Sequence, residues 1–158
     1  MRYAGIIKND FAAAPGVCLS FFVQGCPIHC KGCHNPESWD FNGGKEFTPA
    51  VLDEVIEGLT ANGIHRTFCI MGGEPMCESN LFLTDMLVRE VKSKLPNTKI
   101  WIWTGYDAEE IFNRKDPRTI HLIKTVNGFV TGPYIEALRD ITLPMRGSSN
   151  QQIIELTE

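Results

Sequence analysis

Between Val17 and Val23 only one serine interrupts a row of apolar residues, Val17-Cys18-Leu19-Ser20-Phe21-Phe22-Val23. A row without polar alternation predicts a strand buried on both faces. Thr67-Phe68-Cys69-Ile70-Met71 and Lys99-Ile100-Trp101-Ile102-Trp103 have the same character. They predict two more strands, with others at residues 126–130 and 152–156. Between these runs the pattern changes to helical spacing. Val51, Leu52, Val55, Ile56 and Leu59 recur on one face, behind Thr48 as a cap and Pro49 at the first position, and Asn62-Gly63 ends the helix. A second amphipathic helix is expected from about residue 80 to residue 94, closed by Pro96, and shorter ones at 108–112 and 119–124.

Strands alternating with helices predict an α/β fold with right-handed crossovers. A closed eight-stranded barrel typically takes ~250 residues, and this chain has 158. The expectation is therefore a single domain over residues 1–158. Its architecture is an open or partial (β/α) barrel of about five or six mainly parallel strands. In such sheets the working loops lie at the carboxyl ends of the strands. Three unusual segments fall there: Cys26–Cys33, Gly72-Gly73-Glu74-Pro75 and Thr104-Gly105-Tyr106.

Charge and composition narrow the partners. Fifteen basic residues against nineteen acidic ones give a formal charge of −4, which offers no electrostatic grip on nucleic acid or an anionic membrane. Residues 4–7 are too short for a signal segment, and the apolar stretch at 12–23 is broken by Pro15, Gly16 and Ser20. The expected location is the cytoplasm. There, six cysteines are not expected to pair as disulfides, and a tight cluster of them points to metal or redox chemistry.

That cluster is Cys26-Pro27-Ile28-His29-Cys30-Lys31-Gly32-Cys33, a C-x3-C-x2-C spacing. It supplies three thiolates from one loop and no obvious fourth ligand. A closed structural zinc site wants four protein ligands, which His29 or His34 would complete as Cys3His. A cubane iron–sulfur cluster held by three thiolates instead leaves one iron open. In the second segment, Gly72 and Gly73 let a ligand approach the backbone closely, and Glu74 can accept a charge-assisted hydrogen bond from an ammonium group. Alone, that tetrapeptide is an ordinary turn between strand and helix.

Taken together, the cysteine loop after the first core strand and the Gly-Gly-Glu-Pro loop after the next resemble the radical S-adenosylmethionine (SAM) enzymes. The short chain, Trp101-Ile102-Trp103-Thr104-Gly105-Tyr106 and Arg146-Gly147-Ser148-Ser149-Asn150-Gln151 extend the resemblance to the activases of glycyl-radical enzymes. That resemblance implies a [4Fe-4S] cluster on Cys26, Cys30 and Cys33, with its fourth iron bound by SAM through amino nitrogen and carboxylate oxygen. It implies that Gly72, Gly73 and Glu74 bind the methionyl amine, and that Gly32, Cys33 and His34 contact the adenosine. Here Gly32 stands where the family commonly has an aromatic residue. The implied activity is cleavage of SAM to a 5′-deoxyadenosyl radical that makes a glycyl radical on an anaerobic ribonucleoside-triphosphate reductase. A flavodoxin or ferredoxin-type protein would donate the electron, and a homodimer or a heterotetramer with the reductase is left open. Activation of another glycyl-radical enzyme and a non-catalytic zinc module are the alternatives.

Other residues carry plainer expectations. Trp101 and Trp103 are assigned to core packing, and Thr104, Gly105 and Tyr106 to the SAM pocket. Cys18 and Cys69 are expected to be inert in the core, and Cys77 to pack. His29 is expected to face solvent, while His65 and His121 have no evident partner. Residues 146–151 form either a solvated loop or a surface for folding or docking.

Overall fold

In the computed structural model, which describes residues 1–33 and 35–156, the chain forms an α/β fold on one mixed sheet. In chain order the elements are β1 (Arg2–Asp10), β2 (Cys18–Val23), β3 (Lys45–Glu46), α1 (Pro49–Leu59), β4 (Thr67–Gly72), α2 (Glu78–Lys94), β5 (Ile100–Trp103), α3 (Ala108–Phe112), α4 (Pro117–Thr125), β6 (Gly128–Thr131) and β7 (Gln152–Glu155). Among the described residues the sheet has seven strands in the order β3-β1-β2-β4-β5-β6-β7 and does not close on itself. The four apolar runs β2, β4, β5 and β6 pair in parallel. The edges are antiparallel: β1 against β2, β3 against β1, and β7 against β6. The sheet is thus more mixed than the sequence suggests. Strand β1 escapes prediction because its exposure follows no two-residue alternation: only Ala4's neighbour Tyr3 is buried.

Alternate residues of the parallel strands serve two different layers. Leu19, Phe21, Val23, Phe68, Ile70, Ile100, Ile102 and Phe129 meet Val55, Leu59, Leu83, Leu87, Val88 and Leu122 of the helices in the main core. On the opposite face Cys18 and Cys69 pack with Ala14, Met71, Trp103 and Met145. That second face is covered by irregular segments, residues 11–16 and the chain between β6 and β7.

Local chemistry sets the boundaries. Thr48 stands at the N-cap of α1 with Pro49 following, although its hydroxyl makes no capping bond. Beyond α1, Asn62 and Gly63 both take positive φ, 60° and 74°. The buried Arg66 then donates from Nη1 to the carbonyls of Gly58, Ala61 and Ile64, a cation placed where a helix leaves its carbonyls unpaired. Asp116 caps α4, accepting from the Thr119 amide at 2.8 Å. Among the described residues no helix is long and apolar enough to cross a membrane.

Candidate functional site

Parallel strands place their carboxyl ends on one edge, and there the loops turn through glycines. Gly25 after β2, Gly72 at the end of β4 and Gly132 after β6 have φ of 104°, 106° and 103°. A side chain would strain all three positions. Together the loops wall a cavity of about 490 Å³. Cys26, Cys30, Cys33, Gly72, Gly73 and Glu74 all line it. A larger groove of about 1060 Å³ lies between α2 and α4. Its wall contains Met76, Phe82 and Arg118 but no cysteine.

The cysteine loop is tied at its base. Gly25 donates its amide to Ser38 at 2.6 Å, and Cys26 donates to Trp39 at 3.1 Å. The Gly25 carbonyl accepts twice, from the Glu74 amide at 2.8 Å and from Asn80 Nδ2 at 3.0 Å. Gly73 lies so close to Gly25 that a Cβ on it would overlap the Gly25 backbone. The loop that carries the thiols and the loop that carries Glu74 are therefore joined directly. All six cysteines are free. Burial pushes the thiols of Cys26 and Cys30 above the ordinary value, while backbone amides of His29 and Ile28 at Cys26, and of Tyr134 at Cys30, pull the other way. Among the described residues, no three histidine, cysteine, aspartate or glutamate side chains already stand grouped as a metal cage.

Glu74 is buried, with 2% exposure. Its Oε2 accepts from the Met76 amide at 2.8 Å and Thr104 Oγ1 at 2.6 Å, and its Oε1 from the Gly105 amide at 2.7 Å. Burial raises its carboxyl above the usual range against the pull of these donors. The second and third strand-end segments are thus bound to one carboxylate.

Other expected residues divide. Thr104 and Gly105 line the cavity, but Tyr106 faces the larger groove beneath the Arg114 guanidinium, 4.9 Å from the ring centre. Trp101 is buried, but Trp103 lines the cavity and donates Nε1 to the Met145 carbonyl at 2.7 Å. Gly32 has φ of 77° and stands against the Glu136 carboxylate rather than in the cavity wall. His34 lies outside the described residues. His29 is exposed, and its ring stacks on Trp39 at 4.5 Å. Cys77 is buried at the start of α2. Cys18 and Cys69 are buried thiol to thiol, a contact that lowers Cys18 to about 7 and pushes Cys69 well up. His121 does have a partner: its Nδ1 lies 2.7 Å from Asp85.

Residues 146–151 are not a free solvated loop. Gln151 Oε1 accepts from the amides of Gly147 and Ser148, and its Nε2 donates to Gly132. Asn150 donates to Pro133, and Arg146 Nη1 donates to the Gln151 carbonyl. The result is a pinned arch that brings Arg146, Gly147 and Gln151 to the cavity wall, beside Asp10, Trp39 and Met145. The arginine-to-glutamine motif was visible in the sequence. Asp10 and Trp39 gave no such signal, since Asp10 ends the unpredicted strand β1 and Trp39 sits in an irregular segment.

The donor set decides what this wall can hold. Soft thiols suit iron–sulfur chemistry or zinc, and the wall shared with Gly72, Gly73 and Glu74 leaves space for a ligand beside them. His29, stacked on Trp39, does not line this cavity.

Comparison with known proteins agrees. Residues 12–154 match the family described as 4Fe-4S single cluster domain. Three proteins named anaerobic ribonucleoside-triphosphate reductase-activating protein are similar over nearly their full length. That of Vibrio cholerae is 34% identical over 158 residues and that of Salmonella typhi 33% over 157, each with 99% of both chains covered. That of Enterobacteria phage T4 is 32% identical over 158 residues, covering 100% of this chain and 96% of its own.

Proposed function

We infer the function of a chain that belongs to the family of anaerobic ribonucleoside-triphosphate reductase-activating proteins and, over residues 12–154, to the 4Fe-4S single cluster domain family: it generates a glycyl radical on an anaerobic ribonucleoside-triphosphate reductase. The whole chain is a single radical SAM domain in this reading, and its unclosed sheet is a partial barrel. The observation that carries it is the shared cavity, where three thiols and the Gly72-Gly73-Glu74 loop stand on one wall.

Cys26, Cys30 and Cys33 would hold the cluster, and three thiolates would leave one iron for SAM. When bound, the reduced cluster supplies the electron that divides SAM into methionine and a 5′-deoxyadenosyl radical. The protein's own part is positional. Glu74, kept in place by Thr104, Gly105 and Met76, offers negative charge to the methionyl ammonium. Gly72 and Gly73 give the ligand access to backbone. Cys33 stands toward the adenosine side and Trp39 adds an aromatic wall there, whereas Gly32, turned against Glu136, does not line the cavity. A glycine Cα on the reductase then loses a hydrogen atom, and 5′-deoxyadenosine is the product. The electron comes from a flavodoxin or ferredoxin-type protein in the cytoplasm, and the activase works as a homodimer or in a heterotetramer with the reductase.

Anaerobic reconstitution with iron and sulfide tests the reading. The expected result is a brown protein whose reduced electron paramagnetic resonance (EPR) signal changes when SAM is added. A glycyl radical should then appear on the reductase. A colourless protein that retains zinc rejects it.

A further inference from the structure

A glycine substrate offers no side chain of its own, so the groups available at it are the backbone N–H and C=O, which call for hydrogen-bonding partners on the enzyme. Hydrogen-bond donors on the cavity wall are mostly engaged already. Trp103 Nε1 is used by Met145, Thr104 Oγ1 and the Gly105 amide by Glu74, and the amides of Gly132 and Gly147 by Tyr106 and Gln151. Arg146 differs. It is the sole cationic side chain among the described residues lining the cavity, and its one hydrogen bond runs from Nη1 to the Gln151 carbonyl. Its Nε is buried without an acceptor. Gln151, the anchor of this arginine, is itself held by Gly147, Ser148 and Gly132. The arch thus holds a guanidinium whose remaining donors have no protein partner.

A second observation points to a protein ligand. The two most exposed large hydrophobic side chains among the described residues are Ile141 at 84% and Phe11 at 74%. They belong to the two irregular segments that wall this cavity, where Ala12 and Ala13 follow Phe11, and Leu143 and Met145 follow Ile141. Leu138, on the Ile141 segment, is also exposed. Isolated exposed apolar residues are ordinary. Here the most exposed ones flank a cavity whose one cation keeps a buried Nε without an acceptor, and a polypeptide entering the cavity would cover them.

We propose that Arg146 is the substrate-binding residue that takes a backbone carbonyl oxygen of the reductase's glycine-bearing segment, with Ile141 and Phe11 as the apolar rim across which that segment enters. This rests on the activase reading. The oxygen acceptor could instead be the carboxylate of SAM, and the two sources separate experimentally.

Arg146→Gln and Ile141→Asp are each reconstituted anaerobically. Iron content and SAM affinity are read by EPR titration, and glycyl-radical formation is read against the concentration of purified anaerobic reductase. Arg146→Gln is expected to keep its iron and its SAM affinity while the KM for reductase rises at least about tenfold, the scale of a hydrogen bond to a charged group. Ile141 is solvent-exposed, so Ile141→Asp is expected to fold normally and to raise the same KM. Loss of SAM affinity in Arg146→Gln would assign the arginine to the cofactor carboxylate and overturn the proposal. An unchanged KM in both variants would overturn it too. If Arg146→Gln fails to fold, the proposal stands or falls on the KM of Ile141→Asp. A wild-type protein without a SAM-dependent EPR change defeats the activase reading instead, whatever the variants do.

Discussion

Glu74 and Thr104, 30 positions apart, share a 2.6 Å hydrogen bond that ties the ends of β4 and β5 together beneath the candidate site. Thr104 Oγ1 also accepts from the Tyr106 amide, so the hydroxyl is held in place from both sides. The buried carboxylate keeps whatever charge it has because of such donors.

Thr104→Val removes that donor and preserves shape. The expected cost is about 1–3 kcal/mol of stability, the usual penalty for a buried polar atom losing its partner. It also pushes the Glu74 carboxyl further above its ordinary value of 4.5, since burial already raises it and Thr104 is the foremost opposing influence. Between 4.5 and the raised value the folded chain holds the extra proton, so this residue's contribution to stability declines as pH rises through that window. In the proposed role the SAM ammonium pairs with the ionised form, so affinity is expected to fall as pH falls through the same window. In the variant the loss should begin at higher pH. An EPR-monitored SAM titration across pH checks this, and coincident profiles would refute it.

Substituting any one of the three cavity thiols should abolish the cluster signal. Cys26→Ala, Cys30→Ala and Cys33→Ala are each expected to lose the SAM-responsive EPR spectrum after reconstitution. Cys18→Ala should retain it, because Cys18 lies on the sheet face against Cys69 and Ala14 and does not line the cavity. Loss of iron from Cys18→Ala would mean that the ligand set is wrong.

Gly73→Ala sets a side chain against main chain. Its Cβ would overlap the Gly25 carbonyl, which cannot swing aside as a flexible side chain would. We expect a loss of about 1–3 kcal/mol, the range for overpacking, and reduced iron retention, since the displaced partner is the base of the cysteine loop. Gly5→Ala is the control, with open space around the added atom. Equal denaturation midpoints for the two variants would contradict the expectation.

Arg66→Met should be among the more damaging single changes outside the cavity. Arg66 is 5% exposed, and its guanidinium donates to three carbonyls at and just beyond the end of α1 and, through Nε and Nη2, to Asn9 on β1. Removing it leaves several acceptors unpaired, at a cost of roughly 3 kcal/mol or more. Arg66→Lys should rescue little, because a single ammonium lacks the planar fork that spans both elements. Urea denaturation of the two variants compares them directly.

The parallel core was legible because β2, β4, β5 and β6 are short apolar runs without polar alternation, the mark of strands buried on both faces. The helices between them carried clear spacing and stops. Strand β1 was not legible: of its nine residues only Tyr3 is buried, with Ile6 packed against the core, and its pairing with β2 emerges only from the folded sheet. The three cysteines and the Gly72-Gly73-Glu74 loop were visible as residue types. The companions of Glu74 were not, because hydrogen bonds across 30 positions leave no local trace. The same holds for His121, whose partner Asp85 is 36 positions away on another helix. The far wall of the cavity was hidden for a different reason. It is built from residues 11–16 and the β6–β7 connection, where neither two-residue nor helical periodicity exists.

The doubly used carbonyl of Gly25 gives the cavity a mechanical property. Because one oxygen fastens both the Glu74 amide and Asn80 to the root of the cysteine loop, the two loops form a single lever with no slack between them. Electron transfer weakens steeply with separation, so a donor and a bond to be broken are best carried on one rigid member. A ligand that shifts the Glu74 end must also tilt the cysteine end. In the proposed role, arrival of a ligand at Glu74 is thereby expected to reach the cysteine loop as a displacement.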